Sequence, residues 1–362
     1  LHYIALVATF DLLRRRVYFR RSRRHNAGPM PRVLVITIDP TEAAFRLRLG
    51  ILAPLLAADS YTFDYRARPK DFADRRKLLT TAGDYDAVIV QRKLLDPSHA
   101  RLLRRRAKRV VFDLDDAVMT QRRDVSAWSR WLKRRRFRAT AAAADHILAG
   151  NDYLADQFRE LGRPVTVLPT VVDPDHYTVK QHAPTDRPTL VWIGSASTLP
   201  YLRQWMPHLE AAARRVPGLR LITIANDTVA SDVLDVEHIP WTEAGEAAAL
   251  ARGEIGIAPT PDDRWTAGKS GFKIVQYMAT GLPTIASPVG ANGSIVRDGV
   301  TGLLPATPGD WSDAIVRLAT DPAARAAMGA AARQVVLADY TVARARTVWR
   351  QVLSGENSTG RT

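Results

Sequence analysis

Gly268-Lys269-Ser270-Gly271 is a short, flexible stretch that opens directly into an apolar helical pattern at Phe272. Free backbone N–H groups at a helix start, aided by the helix dipole, favour a phosphate oxygen. Lys269 and Lys273 add full positive charge beside that start. The same residues also suit a capped helix start with two solvated lysines. The order departs from the G-x-x-x-x-G-K-[ST] phosphate loop, because Gly271 follows the lysine. A second candidate is Asp113-Leu114-Asp115-Asp116, an acidic cluster at the end of an apolar run. Carboxylates so placed suit a hydroxyl-bearing ligand, a metal that holds a nucleotide, or a turn and helix cap. Arg46 and Arg48, at the start of the first helical stretch, suit a phosphate-bearing ligand or are solvated helix arginines. None of the eight histidines stands at H-x-x-x-H spacing, and no metal site is expected.

These residues need elements to hold them. Residues 32–38 (RVLVITI) form a near-continuous β-branched run, the mark of a strand buried on both faces of a parallel sheet. Runs at 87–91, 109–113, 146–149 and 165–168 repeat it, with helical patterns at 45–58 and 152–161. Residues 173–188, with Asp173-Pro174, Pro184 and Pro188 among polar neighbours, read as a linker. The alternation restarts with strands at 190–193, 219–224, 255–258 and 284–286, separated by helices at 201–215, 245–252 and 272–280. Gly281 and Pro283 stop the last of these, and helices near 309–319 and 322–353 close the chain. The expectation is an α/β chain of two doubly wound, Rossmann-like domains, 30–172 and 189–335. A crossover helix over 336–353 packs back toward the first domain, and 354–362 is a disordered tail. Ligands of such sheets bind beyond the carboxyl ends of the strands, here the cleft between domains. That two-domain pattern counts against the metal reading of the aspartates, which needs a single metal-dependent domain.

The 362 residues hold 52 Lys+Arg against 37 Asp+Glu, a net charge of +15. Residues 1–150 hold 32 basic and 15 acidic side chains, and the remainder 20 and 22, so the excess lies wholly in the first part. A one-sided field of this kind points to an anionic partner. The basic runs 101–109 and 130–138 include Leu102-Leu103, Trp131-Leu132 and Phe137, an apolar side suited to an anionic membrane surface. No aromatic stacking platform is interleaved with them, so no nucleic-acid partner is expected. The absence of cysteine excludes disulfides, thiolate metal sites and cysteine nucleophiles, and fits a cytoplasmic location. Residues 1–29 place an apolar stretch before a cluster of arginines, the reverse of a secretory signal. They read either as an over-long start ahead of Met30 or as a basic amphipathic helix on a membrane.

Residues 258–304 resemble the donor-binding region of glycosyltransferase family 4, retaining enzymes of the GT-B fold. Tyr277-Met278-Ala279-Thr280-Gly281-Leu282-Pro283-Thr284-Ile285-Ala286 carries the resemblance, continued by Val289-Gly290, Ile295-Val296, Asp298-Gly299 and Gly302. Trp192-Ile193-Gly194-Ser195-Ala196-Ser197-Thr198 is similar to the glycine turn that approaches the donor diphosphate, and 149–154 and 168–173 to the end of the first domain. The resemblance implies metal-independent transfer of a sugar, with retention, from a UDP- or GDP-sugar to an acceptor hydroxyl, with no further cofactor. It implies catalytic roles for Lys269, Lys273 and Asp263. Donor contacts would come from Gly194, Ser195, Ser197, Trp241, Asp262, Ser270, Gly271, Phe272 and Gln276. Acceptor contacts would come from Arg46, Arg48, Asp115 and Asp116. The loop is most similar to a subgroup with GK-x-GFK. Two glutamates eight positions apart in many members are replaced here by Gly268 and Gln276. The implied setting is cell-envelope polysaccharide or glycolipid synthesis at the inner face of the plasma membrane, on a lipid-linked glycan or small-molecule acceptor. The missing glutamates support an alternative, a catalytically degenerate GT-B chain acting as a basic membrane- or polyanion-binding module.

Overall fold

A computed structural model describes residues 30–39, 42–120 and 126–355. The expectations for 1–29 and for 356–362 lie outside them. The described strands form two parallel six-stranded sheets. The first holds β1 (Arg32–Thr37), β2 (Thr62–Ala67), β3 (Ala87–Gln91), β4 (Val110–Leu114), β5 (His146–Ala149) and β6 (Val165–Val167), in the order β2-β1-β3-β4-β5-β6. The second holds β7 (Thr189–Ile193), β8 (Arg220–Ala225), β9 (Asp235–Pro240), β10 (Ile255–Ala258), β11 (Thr284–Ala286) and β12 (Gly302–Leu303), in the order β12-β11-β10-β7-β8-β9.

The central strands are the β-branched runs, and β3, β4, β7 and β10 are buried along their whole length. Three edge strands were not expected: β2, β9 and the two-residue β12. β2 (TFDYRA) and β9 (DVEHIP) are largely half-exposed and carry charged residues, so their sequences lack the apolar run of a central strand. They are strands because their neighbours offer ladders, Arg32↔Thr62 through Thr37↔Ala67 for β2.

The helix expected over 45–58 is broken. Ala43–Phe45 leads into a π-helical turn, Arg46–Gly50, and a separate helix spans Ala53–Ala58. Ile51 N donates to Arg46 O at 2.7 Å, the wide i to i+5 spacing of a π-turn. Pro54 falls in the first turn of that second helix, where its missing N–H leaves no helical hydrogen bond unmade.

The helix expected over 322–353 is two, Pro322–Asp339 and Val342–Ser354. The break falls where Thr341 caps the second, its side chain accepting from Arg344 N. There Val172 N donates to Tyr340 O at 2.9 Å and Val342 N to Val172 O at 3.1 Å, which pins the crossing chain to the end of the first half. The last helix then lies on the first sheet. Ala345, Trp349, Val352 and Leu353 share a core with Val33, Val35, Leu49 and Leu56. Asp59 accepts from Arg346 Nε at 2.7 Å, and Arg109 Nε donates to Val352 O at 2.6 Å. Trp349 is the largest apolar side chain in that contact and is wholly buried. Trp349→Ala should cost about 3–5 kcal/mol of unfolding free energy, measured as a lower midpoint in urea.

Candidate functional site

The helix Phe272–Ala279 starts at Gly271, whose φ of 65° is strained for any side chain. Tyr277, buried, fixes its position. The hydroxyl donates to Ile257 O at 3.1 Å and accepts from Ile193 N at 3.0 Å, at the carboxyl ends of β10 and β7. Its ring lies so close to β10 that a Cβ on Gly256 would come within 2.4 Å. One turn earlier, Lys273 Nζ stands 4.6 Å from the centre of the Trp192 ring. The same ring abuts Gly194, where a Cβ would meet it at 2.4 Å. Lys273 is therefore beside the Gly194-Ser195 turn that leaves β7.

The electrostatics there are unusual. Burial, and then the Lys269 charge, push the Lys273 ammonium down to about 7. Among the described residues no carboxylate pairs with it. Lys269 Nζ stands 5.7 Å from the Trp265 ring. Two neighbouring ammonium groups, one of them buried with no carboxylate partner among the described residues, concentrate positive charge here.

Deeper along the same helix, Gln276 is buried. Its amide donates to Glu246 Oε1 at 2.9 Å and to the Tyr177 hydroxyl at 3.3 Å. Trp241 Nε1 donates to Glu246 Oε2 at 2.8 Å. Glu246 thus joins two of the expected donor residues, and burial raises its pKa above the usual carboxylate range. Sequence reasoning missed it, because nothing local links it to a residue 30 positions later. Asp263 is exposed, and its Oδ1 accepts from Trp265 N at 2.7 Å and Thr266 N at 2.8 Å, holding the loop. Asp262 is exposed beside it. Ser195 Oγ and Ser197 Oγ lie 2.9 Å apart at the exposed turn.

The first half meets this loop directly. Asn151 Nδ2 donates to Lys269 O at 2.9 Å and Ala267 O at 3.2 Å, while its Oδ1 accepts from Leu154 N and caps the helix Asp152–Arg159. Trp265 packs against the core of the first sheet. A Cβ on Gly268 would lie 2.5 Å from Ala117 Cβ, so there is no room for the side chain that the family resemblance places at that position. Asp115 and Asp116 lie between the end of β4 and Ala117, both ion-paired with Arg92, whose Nε is 3.2 Å from Asp115 Oδ1. Arg92 holds a left-handed φ of 57°, a second feature the sequence did not signal. Burial pushes the Asp115 carboxyl up to about 6.

The two arginines part company. Arg46 is paired with Glu243 and lies 5.8 Å from the Trp241 ring centre, at the edge of the cleft. Arg48 is buried by the π-turn. Its Nε and Nη2 reach Asp113 at 3.0 and 2.6 Å, and its Nη1 donates to Leu168 O at 2.8 Å. Gln91 and Thr37 extend the network, with Gln91 Nε2 donating to Asp113 Oδ2 at 3.2 Å and Thr37 Oγ1 to Gln91 Oε1 at 2.8 Å. Burial works against the guanidinium charge, but Asp113 outweighs it and leaves the pKa raised. Arg48 is a structural ion pair and does not face an acceptor. Among the described residues, no group of three or more His, Asp or Glu is placed to hold a metal ion.

The family model described as glycosyl transferases group 1 matches residues 187–321, the second sheet and its helices. The structure is similar to a sucrose-phosphate synthase from Thermosynechococcus elongatus, with a TM-score of 0.67 at 16% identity, over 90% of this chain and 100% of that one. It is similar also to Anabaena HepE, solved in complex with UDP and glucose, with a TM-score of 0.64 at 14% identity over the same shares. The fold is GT-B. A D-inositol 3-phosphate glycosyltransferase of Actinosynnema mirum is 28% identical over 223 residues, 52% of each chain. The chain thus aligns with about half the length of that relative. Together the matched segment and the GT-B fold support the group 1 family.

Within this GT-B chain, removing one partner of the Arg48–Asp113 pair strands a buried charge. Arg48→Met should lower unfolding free energy by about 3–5 kcal/mol, read by chemical denaturation. A variant as stable as the parent would return Arg48 to the list of ligand-facing residues.

Proposed function

We propose that the chain is a glycosyltransferase that moves a sugar, with retention, from a nucleoside diphosphate donor to an acceptor hydroxyl. The observation that carries this reading is Lys273, a buried ammonium without a carboxylate partner at the glycine turn of β7. The UDP and glucose in the HepE structure favour a UDP-sugar. The relative named for inositol 3-phosphate favours an anionic acceptor, phosphorylated or lipid-linked. This agrees with the basic first half and with a role in cell-envelope glycolipid or polysaccharide synthesis at the cytoplasmic face of the membrane.

In this reading Lys273, Lys269 and the Ser270–Phe272 backbone hold the diphosphate and stabilise the charge that grows on it as the anomeric C–O bond breaks. The acceptor oxygen bonds the anomeric carbon on the face the diphosphate leaves, and its proton passes to the departing phosphate oxygen. The lysines supply the charge that a metal-dependent transferase takes from its cation. Glu246, oriented by Trp241 and Gln276, accepts from the ribose hydroxyls. Asp115 and Asp116 face the acceptor from the first half, and closure of the loop against Asn151 excludes water.

Thermal stabilisation by UDP, GDP, ADP and TDP, with and without a chelator, tests the reading. A chelator-insensitive shift with UDP is expected, and no shift with any nucleotide would overturn it. The pH dependence then isolates Lys273. Its ammonium is protonated below about pH 7, and a bound diphosphate favours that form. Affinity for a UDP-sugar, whose diphosphate charge is constant from pH 6 to 9, should be greatest below about pH 7 and fall up to about tenfold per unit above it. Lys273→Met should flatten that profile. Separately, Glu246→Gln should narrow the preference for UDP over 2′-deoxy-UDP by about tenfold, since hydrogen bonds to charged groups contribute about 1.5–3 kcal/mol. Calorimetric titration reads both.

A further inference from the structure

Two helices on the first sheet carry positive charge with no acidic residue of their own. Pro97–Arg106 and Ala127–Ala143 contain neither Asp nor Glu. Between them runs an open groove of about 420 Å³, with an alanine floor that includes Ala100, Ala139 and Ala142 and a rim that includes Arg101, Arg105 and Arg135. Arg104, on the same rim, is held by Asp145 at 2.8 Å. The other three have no acidic partner among the described residues. The groove is thus apolar below and cationic above, with its charge unspent.

An aromatic patch continues it. Arg135 lies 5.3 Å from the centre of the Trp131 ring, and Trp131 stacks on Trp128 at 4.8 Å. The two indoles are 47% and 66% exposed, unusual for side chains this large. Trp128, Trp131, Arg135, Arg138 and Ala142 follow one exposed stripe of the helix at spacings of three and four. The opposite face, with Phe137, Thr140 and Ala141, is buried. The helix joins the parallel strands β4 and β5, so it runs antiparallel to them. Its first turn, with the tryptophans, therefore lies toward the carboxyl ends of the strands, where Asp115 and Asp116 stand.

Exposed indoles beside uncompensated guanidinium groups match the chemistry of a bilayer interface. Indole settles at the headgroup level, and arginine engages phosphate through paired donors. A polyanion without an apolar layer would use the arginines and leave the indoles in water. Because the two rings stack on each other, they offer no free slot for successive bases. We propose that this face docks the chain on an anionic phospholipid surface, with Trp128 and Trp131 in the headgroup layer and the arginine-rimmed groove receiving lipid phosphates. The proposal deepens the transferase reading, on which it rests only for the lipid-linked acceptor that such docking would bring to the cleft.

The test is co-sedimentation of the full chain with vesicles of phosphatidylcholine alone and of equimolar phosphatidylcholine and phosphatidylglycerol. Binding is expected on the mixed vesicles only, and it should weaken with added salt. The combined variant Arg101→Gln, Arg105→Gln, Arg135→Gln should bind them roughly 100-fold more weakly, at about 1 kcal/mol per basic residue. The variant Trp128→Ala, Trp131→Ala, which keeps every charge, should also bind more weakly. All these positions are at the surface, and UDP stabilisation measured on the same preparations reports whether the fold and the donor site are intact. That readout separates failure of docking from failure of the transferase reading. Equal binding by either variant and the parent would overturn the proposal. So would displacement by heparin with no effect of the tryptophan change, which would mark a general polyanion surface instead.

Discussion

The Tyr277 hydroxyl ties three elements of the second half at one point. A backbone N–H of β7 and a backbone C=O of β10 both end on it, at 3.0 and 3.1 Å. Either group, buried and unpaired, would cost about 1–3 kcal/mol. The contact therefore fixes how far the helix Phe272–Ala279 is rotated and how deep it sits. Its geometry sets the rest of the site. Lys273, four residues earlier, must lie on the same face as Tyr277 and hence against Trp192. Gln276 is turned toward Glu246 and Tyr177. Gly256 is required beneath the ring, where a Cβ would clash.

What this arrangement holds in place is a charge that the fold itself disfavours. Lys273 titrates near 7 in the fold, against 10.5 for the free side chain, because burial and Lys269 oppose its charge. A lysine with a depressed folded pKa contributes stability above its unfolded value and loses it as pH falls through the folded one. The protonated form is thus the less stable fold and also the form suited to a diphosphate. In the transferase reading a diphosphate would offset the burial and the Lys269 repulsion that disfavour this charge. Structural lysines elsewhere in the chain show the contrast. Lys108 and Lys180 are paired with Asp86 and Glu254 at 2.9 and 2.8 Å.

The sequence displayed those features that depend on neighbours in the chain. The β-branched runs announced the central strands, because burial on both faces demands an unbroken apolar segment. The glycines around Lys269 announced a loop where backbone comes close to something else. Edge strands β2 and β9 escaped because half-exposure permits charge, and their conformation is imposed by a partner strand. Arg48 escaped for a related reason. It stands two residues from Arg46 and looks equivalent, yet the π-turn sends it inward to Asp113, 65 positions away. The role of Glu246 depends on a helix 30 positions later that packs against it only in the fold. Residue type marked which segments carry charge, while the long-range packing decided which charges are spent on the fold.

Gly268 shows how that division shapes the chemistry. The resemblance places a carboxylate at this position, within the second half, but the space beside it is filled by Ala117 of the first. Asn151 grips the carbonyls on either side of Gly268, so the loop is seated there by direct hydrogen bonds. The nearest acidic side chains on that turn are Asp115 and Asp116, held from behind by Arg92. A carboxylate lost from one wall of the cleft is thus faced by two on the other. In the transferase reading this changes what closure accomplishes. The second half alone holds cations for a diphosphate but lacks the acidic group that the family carries beside the sugar. The aspartates stand beside the loop around Gly268, which rests against Ala117. In that reading, contact between the two halves both excludes water and sets Asp115 and Asp116 beside the loop that carries Lys269.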